Sequence, residues 1–340
     1  MTAKRIFMTG ASGCIGHYLA EALIQETHHE IFLLVRNPDK LQIDTLARPG
    51  VHVLQADLRE IERFRDLLQT IDVAILVATA WGGSGEVFDI NVVKTIRLMN
   101  LLDPAKCEQV LYFSTASILD RDNELLKEAG QIGTGYIRSK YDCFRQLSRL
   151  AIAPKIVALF PTLVIGGDQT KPKSHLSGGL PGVVKWSKLI RFFKADGSFH
   201  FIHARDIAQV VVHLIEHPRT KEGLSENTPA KIVLGQPPIT VNQAVAEISA
   251  YFDQKIHFRI PLKLWLANII ITLFRIQMEP WDRFCINYRH FTYQNPVNPD
   301  ICGKTSYCPT LSDVLKVTGI PPARSTQLPP PAIETPQEEV

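Results

Sequence analysis

"RIFMTGASGCIGHYLAEALIQE", Arg5 to Glu26, is the stretch whose reading decides the fold. It opens with a continuous apolar run, crosses a glycine-rich turn and continues with apolar residues at helical spacing. A run without alternation suits a strand covered on both faces. Across the turn, Gly10, Gly13 and Gly16 recur every third residue. Glycines so placed permit a tight turn, close approach of backbone to a pyrophosphate, and close packing of helix on strand. The helix opening at Cys14 would offer free N–H groups and a positive dipole end to phosphates. Ser12 adds a hydroxyl donor, and Ile15 belongs to the same turn. Standing at the head of a strand–helix series, this turn predicts a dinucleotide-binding site.

The series continues outward from there. Strands are predicted over 30–36, 51–57, 72–80, 109–117 and 155–166, with helices near 60–70, 87–102 and 136–151. Alternating β and α of this kind predicts an α/β fold, a doubly wound parallel Rossmann sheet, over residues 1–165. A smaller, mixed substrate-binding region is expected over 166–320, partly interleaved with the core. It would open with a polar loop at 166–182 and carry helices near 205–217 and 240–253. The stretch from Pro321 to Val340 contains six prolines and is expected to be disordered.

Bulk properties exclude several classes. Lys and Arg number 37 against 34 Asp and Glu, and no basic run forms a nucleic-acid stripe. The six cysteines are scattered, without the C-x-x-C spacing of a zinc site or a disulfide framework. The opening residues run straight into a strand, leaving no room for the apolar core of a signal peptide, so a cytoplasmic location is expected. The segment "LWLANIIITLF", 264–274, is strongly apolar but too short to span a bilayer, which takes about 20 residues. It reads as a helix packed under the substrate region, with peripheral membrane or protein contact as the alternative. A monomer or homodimer is expected.

The Gly-x-x-Gly-x-x-Gly spacing resembles that of the short-chain dehydrogenase/reductase superfamily, and the chain length is similar to its extended, epimerase/dehydratase-like branch. Asp57 and Leu58, closing the third strand, look like the pair that contacts adenine. "VATA" (77–80), with Ala78, Thr79 and Ala80, is similar to the segment lining the nicotinamide ribose. "FPTLVIG" (160–166), with Pro161, resembles the segment that meets the carboxamide. Asn91 and "FIHARDIAQ" (201–209) also match family landmarks. The resemblance covers about residues 4–320 and implies an NAD(P)-dependent enzyme.

Arg36 ends the second strand where NAD enzymes place an acidic residue. A planar guanidinium suits a 2′-phosphate, so NADP(H) is favoured over NAD(H). For the chemistry, Tyr-x-x-x-Lys occurs twice, at Tyr136/Lys140 and Tyr251/Lys255. Residues i and i+4 share a helix face. Only the first pair follows a strand offering Ser114 and Thr115 at its C-terminal end, where ligands bind in open α/β sheets. A phenol with pKa about 10 is a poor base near neutrality, and a neighbouring ammonium lowers that value. Aligning "STASIL" on the family's pattern gives Thr115 the reacting oxygen, with Ser114 as its neighbour, and Tyr136 the proton.

Sugar-nucleotide enzymes of this branch carry an Arg just before the "FIH"-like strand. Here that position is Phe199. The dehydratase signature also places acidic residues where this chain has Ala116 and Ser117. Apolar residues such as Trp186, Phe192, Phe193, Trp265 and Trp281 would be core or line an apolar pocket. The expectation is an oxidoreductase for a small apolar carbonyl or alcohol. A nucleotide-sugar epimerase or dehydratase, and a non-catalytic dinucleotide-bound scaffold, are the alternatives.

Overall fold

The structure is a computed structural model that describes residues 2–218, 228–273, 275 and 277–323. Seven strands form its central sheet: β1 (Arg5–Thr9), β2 (Glu30–Val35), β3 (Val51–Gln55), β4 (Val73–Leu76), β5 (Gln109–Phe113), β6 (Ile156–Pro161) and β7 (Ala230–Leu234). Their order is β7-β6-β5-β4-β1-β2-β3, and every pairing is parallel. The chain reverses its winding between β1 and β4. That is the topological switch point where open α/β sheets bind ligands.

The apolar runs behave as continuous strands should. Phe7 enters the core on one face of the sheet, while Ile6 and Met8 enter the core on the other. Such double coverage removes the alternation a half-exposed strand would show. The first helix (Cys14–Glu26) packs Tyr18, Leu19 and Leu23 against Ile207, Val211 and Leu214 of the helix Ala204–Glu216. That second helix follows the "FIH" strand. Its Asp206 accepts hydrogen bonds from the backbone N–H of Tyr307 (2.6 Å) and Cys308 (3.3 Å), tying the later chain to the sheet. The sheet also takes β7 from beyond residue 165.

Several expectations are corrected. The run 155–166 is not one strand. It breaks at Thr162, and Leu163–Ile165 leaves the central sheet to pair with Phe201–His203. Thr162 anchors the break through its N–H and hydroxyl, both donated to the Leu234 carbonyl. The segment 166–182 is not all loop. A helix starts at His175, capped by Ser174, and runs to Ile190 through Pro181. A further helix, Pro280–Tyr288, is not among the expected elements, although Trp281, Phe284, Cys285 and Tyr288 recur at i, i+3, i+4 and i+7 and pack on the core.

The segment 264–274 does form a helix, Leu264–Leu273, and part of its apolar surface faces solvent. Trp265 is 60% exposed and Leu273 73%. Trp186, expected in core or pocket, is 57% exposed as well, whereas Trp281 joins the core. The third core cluster, around Ile165, Phe201 and Val314, takes Leu180 from the 175–190 helix and leaves that helix's other faces uncovered. Among the described residues no helix is long and apolar enough to cross a membrane. The Pro-rich stretch is described only to Ala323, so the expectation of disorder beyond it lies outside the described residues.

Candidate active site at the switch point

The glycine turn has the shape its sequence requires. Gly10 sits at φ +79°, and a Cβ there would lie 2.5 Å from the Ala78 nitrogen. A Cβ on Gly16 would lie 2.0 Å from the Gly10 carbonyl oxygen. Both approaches are closed to any side chain, so the turn holds the first helix tight against β1 and β4. Gly13 is looser, with its nearest neighbour at 3.5 Å, and it caps the helix without any side-chain hydrogen bond. The first turn of that helix contains no acidic residue. Its N–H groups therefore remain available beside Ser12 and Ile15, as an anion-binding terminus needs.

The opposite wall is "VATA". The Ala78 N–H donates to Thr9 Oγ1 (3.2 Å), joining the ends of β1 and β4. Asn91 is fully buried and organises the rest of this wall. Its Oδ1 accepts from the Ala80 N–H (2.7 Å) and from the Thr79 hydroxyl (3.1 Å). Its Nδ2 donates to the Ala80 carbonyl and to Ser139 Oγ, both at 3.0 Å. Ser139 lies on the Gly135–Leu147 helix, so one amide aligns the "VATA" segment with the helix that carries Tyr136 and Lys140. Asn91 sits in a π-helical turn, Asp89–Lys94, a local widening often found at functional sites.

After β3, Asp57 caps the short helix Leu58–Phe64, and Leu58 is buried beside it. The Arg36 side chain is 72% exposed, its guanidinium 4.0 Å from both Asp57 and Glu86 carboxylates. Arg59 lies in the same cluster, 3.5 Å from Asp57 and 3.1 Å from Asp89. Two guanidinium groups thus stand at the end of β2 and β3.

The structure brings Thr115, Tyr136 and Lys140 together at the end of β5. Tyr136 and Thr115 are hydrogen-bonded through their hydroxyls. Lys140 is buried, donates from Nζ to the Phe113 carbonyl (2.8 Å) and lies 6.0 Å from the centre of the Tyr136 ring. Burial pulls its pKa down to about 8. The Tyr136 phenol departs from the expected activation. Burial pushes its pKa up, and the Thr115 hydrogen bond, not Lys140, is what draws it back. Desolvation is the larger of the two effects on the phenol. Ser114 is buried one residue before, its hydroxyl without a hydrogen-bond partner among the described residues. Pro161 closes the neighbouring strand β6.

Some residues of the site were not legible in the sequence. Trp81 stacks on Tyr136 with ring centres 3.7 Å apart and also meets His175, at 4.5 Å. Its signal was only its place directly after "VATA". A cavity of about 250 Å³ is lined by Ala116 and Ser117, next in the chain after Thr115, and, from the second half, by Phe199, His200, Phe291 and Tyr293. Arg289 stands at its wall, paired with Asp196. His200 accepts from the Tyr293 N–H at Nε2 (3.0 Å) and donates from Nδ1 to the Gln236 carbonyl (2.7 Å), a neutral tautomer in keeping with its lowered pKa. These residues lie about ninety positions apart in pairs, on the antiparallel and parallel pairings of the strand Ser198–Phe199, and no motif announces them.

The second Tyr–Lys pair is elsewhere. Tyr251 ends the helix Val241–Tyr251 and donates its hydroxyl to the Ile320 carbonyl (2.7 Å), while Lys255 is exposed.

A quinone oxidoreductase of Escherichia coli (strain K12), "Quinone oxidoreductase 2", is 30% identical over 122 residues, which span 36% of this chain and 39% of that protein. Among solved structures, a UDP-N-acetylglucosamine 4-epimerase from Methanobrevibacter ruminantium M1, in complex with UDP-N-acetylmuramic acid, superposes with a TM-score of 0.62 at 16% identity, covering 94% of this chain and 97% of its own. The Bordetella bronchiseptica enzyme WbmG, in complex with NAD and UDP, gives 0.55 at 18% identity over 77% and 82%. At these identities the likeness is one of fold. Over residues 6–227 the sequence matches the "NAD dependent epimerase/dehydratase family". That match spans well over half of the chain, from the glycine turn through the "FIH" motif, and the chain belongs to that family.

Proposed function

We propose that the protein is an NADP(H)-dependent oxidoreductase that interconverts a carbonyl and an alcohol on a small apolar substrate. The observation that carries this reading is an aromatic cavity lined by Ala116 and Ser117, the two residues that follow Thr115 in the chain. Phe199 occupies its wall where the reading for a sugar diphosphate calls for a cation. The cradle fits a dinucleotide, since the two approaches at Gly10 and Gly16 leave room for backbone alone and the helix end is uncapped. Gly10, Ser12, Gly13, Ile15 and Gly16 would hold the pyrophosphate, Asp57 and Leu58 the adenine, and Arg36 a 2′-phosphate. Ala78, Thr79, Ala80, Lys140 and Pro161 would hold the nicotinamide half. The bound nicotinamide supplies or accepts the hydride.

The chain's own groups do the rest. Thr115 and Tyr136 hydrogen-bond the reacting oxygen. A phenol whose pKa is raised by burial stays neutral near neutrality and is a competent proton donor, which favours the reductive direction. Lys140 places a positive charge behind the phenol as the proton leaves. Trp81 and His175 limit access of water to the tyrosine.

Arg289 and the sugar-nucleotide named for the Methanobrevibacter neighbour favour a second reading, a nucleotide-sugar epimerase or dehydratase. In that case the cofactor is regenerated within each turnover. Net consumption of NADPH with a panel of apolar ketones and aldehydes, against conversion of UDP-sugars without net change in the nucleotide, separates the two. Turnover of a UDP-sugar alone would overturn the first reading.

A further inference from the structure

The second half carries an uneven charge distribution. Residues 169–195 contain six Lys/Arg and no Asp or Glu, and residues 254–278 contain four and none. At the chain's average of 34 acids in 340 residues, about five would be expected across the two stretches. The fold joins them. The Ile260 N–H donates to the Phe192 carbonyl (2.7 Å) and the Leu262 N–H to that of Lys194 (2.8 Å), a short parallel ladder. Arg191 donates to the Lys255 carbonyl (3.1 Å), and the Phe192 and Phe258 rings stack. One short ladder therefore links the two segments, the 175–190 helix leading into it and the 264–273 helix leading out of it.

Large apolar side chains of both helices are exposed to solvent. Val183, Trp186 and Ile190 follow one another at i, i+3 and i+7 on the first helix, and Trp265, Ile269 and Leu273 at i, i+4 and i+8 on the second. Phe258 and Ile260 are exposed between them. Among the described residues, none of Lys185, Lys188, Lys194, Lys255, Lys263 and Arg275 forms an ion pair.

We propose that this face docks the protein on an anionic phospholipid bilayer. Unpaired cations around an apolar stripe match an acidic headgroup layer over acyl chains, and tryptophan favours that boundary. The helices lie on the surface, since among the described residues none is long enough to cross it. A second copy fits less well: a two-fold contact would set like charges against each other across the interface. His175, at the start of the same helix, meets the Trp81 ring that covers Tyr136, so docking would bring the candidate site next to the bilayer. The proposal is independent of which reaction the site performs.

The test is flotation of the full chain with vesicles of phosphatidylcholine alone and of phosphatidylcholine mixed with phosphatidylglycerol, at low and high salt. Binding is expected only to the mixed vesicles, weakening with salt. Trp186→Glu with Trp265→Glu should lower partitioning at least tenfold, and Lys185→Gln with Lys188→Gln about five-fold per lysine. Both pairs are exposed, and circular dichroism checks their fold. In the wild type, brominated lipid in the mixed vesicles should quench tryptophan fluorescence, a readout that needs no variant. Absence of flotation and of quenching overturns the proposal, as does equal binding to phosphatidylcholine alone or binding unchanged in both variants. A dimer seen by light scattering and dissolved by the Trp substitutions would assign the face to a second copy and overturn it too.

Discussion

Tyr136–Lys140 and Tyr251–Lys255 have the same pattern on the same kind of helix, yet the molecule treats them oppositely. In the first half Lys140 is buried behind β5 and Tyr136 shares a hydrogen bond with Thr115. In the second half Lys255 is exposed and Tyr251 is spent on the Ile320 carbonyl. Spacing puts two side chains on one face, but the strand beneath that face decides whether they meet anything reactive. The C-terminal end of β5 lies beside Tyr136, whereas Tyr251 meets the backbone at Ile320. The difference extends to the two halves at large. The apolar run Val73–Leu76 is buried throughout, whereas in the equally apolar helix Leu264–Leu273 Trp265, Ile269 and Leu273 are exposed.

The largest expected effect tests the contrast directly. Tyr136→Phe should cut turnover by about 10²–10⁴, the usual worth of a positioned acid–base group, and leave nucleotide affinity nearly unchanged. Steady-state kinetics and nucleotide titration check both. Full turnover in this variant would mean the site is misplaced.

Next comes the buried lysine. Its pKa falls from 10.5 to about 8 because burial disfavours the charged form. Below about 8 the group is protonated in folded and unfolded chains alike, and the desolvation cost is fully present. Between about 8 and 10.5 the unfolded chain binds more protons, so stability rises with pH, by about 3 kcal/mol at most. Lys140→Met should abolish that rise and raise apoprotein stability near neutrality while it destroys activity. Denaturant unfolding across the pH range measures it. A slope that persists in the variant would assign the pH dependence to other groups.

Arg36 sharpens the comparison at the cofactor's far end, where the first half is open rather than buried. A charge-assisted contact with phosphate is worth about 1.5–3 kcal/mol, so Arg36→Ala should reduce the preference for NADPH over NADH roughly 10- to 150-fold. Dissociation constants for both nucleotides decide it. A wild type that prefers NADH would overturn the assignment of NADP(H).

Coverage explains why one half was more legible than the other. Strands of a doubly covered sheet must be apolar on both faces, so the runs at 5–9, 30–35, 73–76 and 109–113 could be read straight from composition. The glycines of the turn are set by contacts no side chain can enter, which leaves an equally plain mark. The break at Thr162 was hidden because two strands of different sheets share one apolar run. The role of Asn91 depends on a π-helical turn, which no periodicity reveals. The helix at 175–190 and the exposure of Trp186 and Trp265 were hidden for the opposite reason. Apolar spacing shows that a helix has an apolar face, and says nothing of whether another element covers it.

The smallest expected effect belongs to the second tyrosine. Tyr251→Phe removes the hydroxyl that donates to Ile320 and leaves the ring against Phe252 in place. A single such bond contributes about 0.5–1.5 kcal/mol net, and both partners stand near solvent, which sets the loss at the lower end. Urea unfolding should show that small shift, while turnover and nucleotide affinity stay at wild-type values. The measurement bears on the comparison because chemistry can be lost without stability, and stability without chemistry. Tyr136→Phe should do the first and Tyr251→Phe the second. A fall in turnover at Tyr251 comparable with that at Tyr136 would mean that the pattern, rather than the sheet beneath it, marks the site.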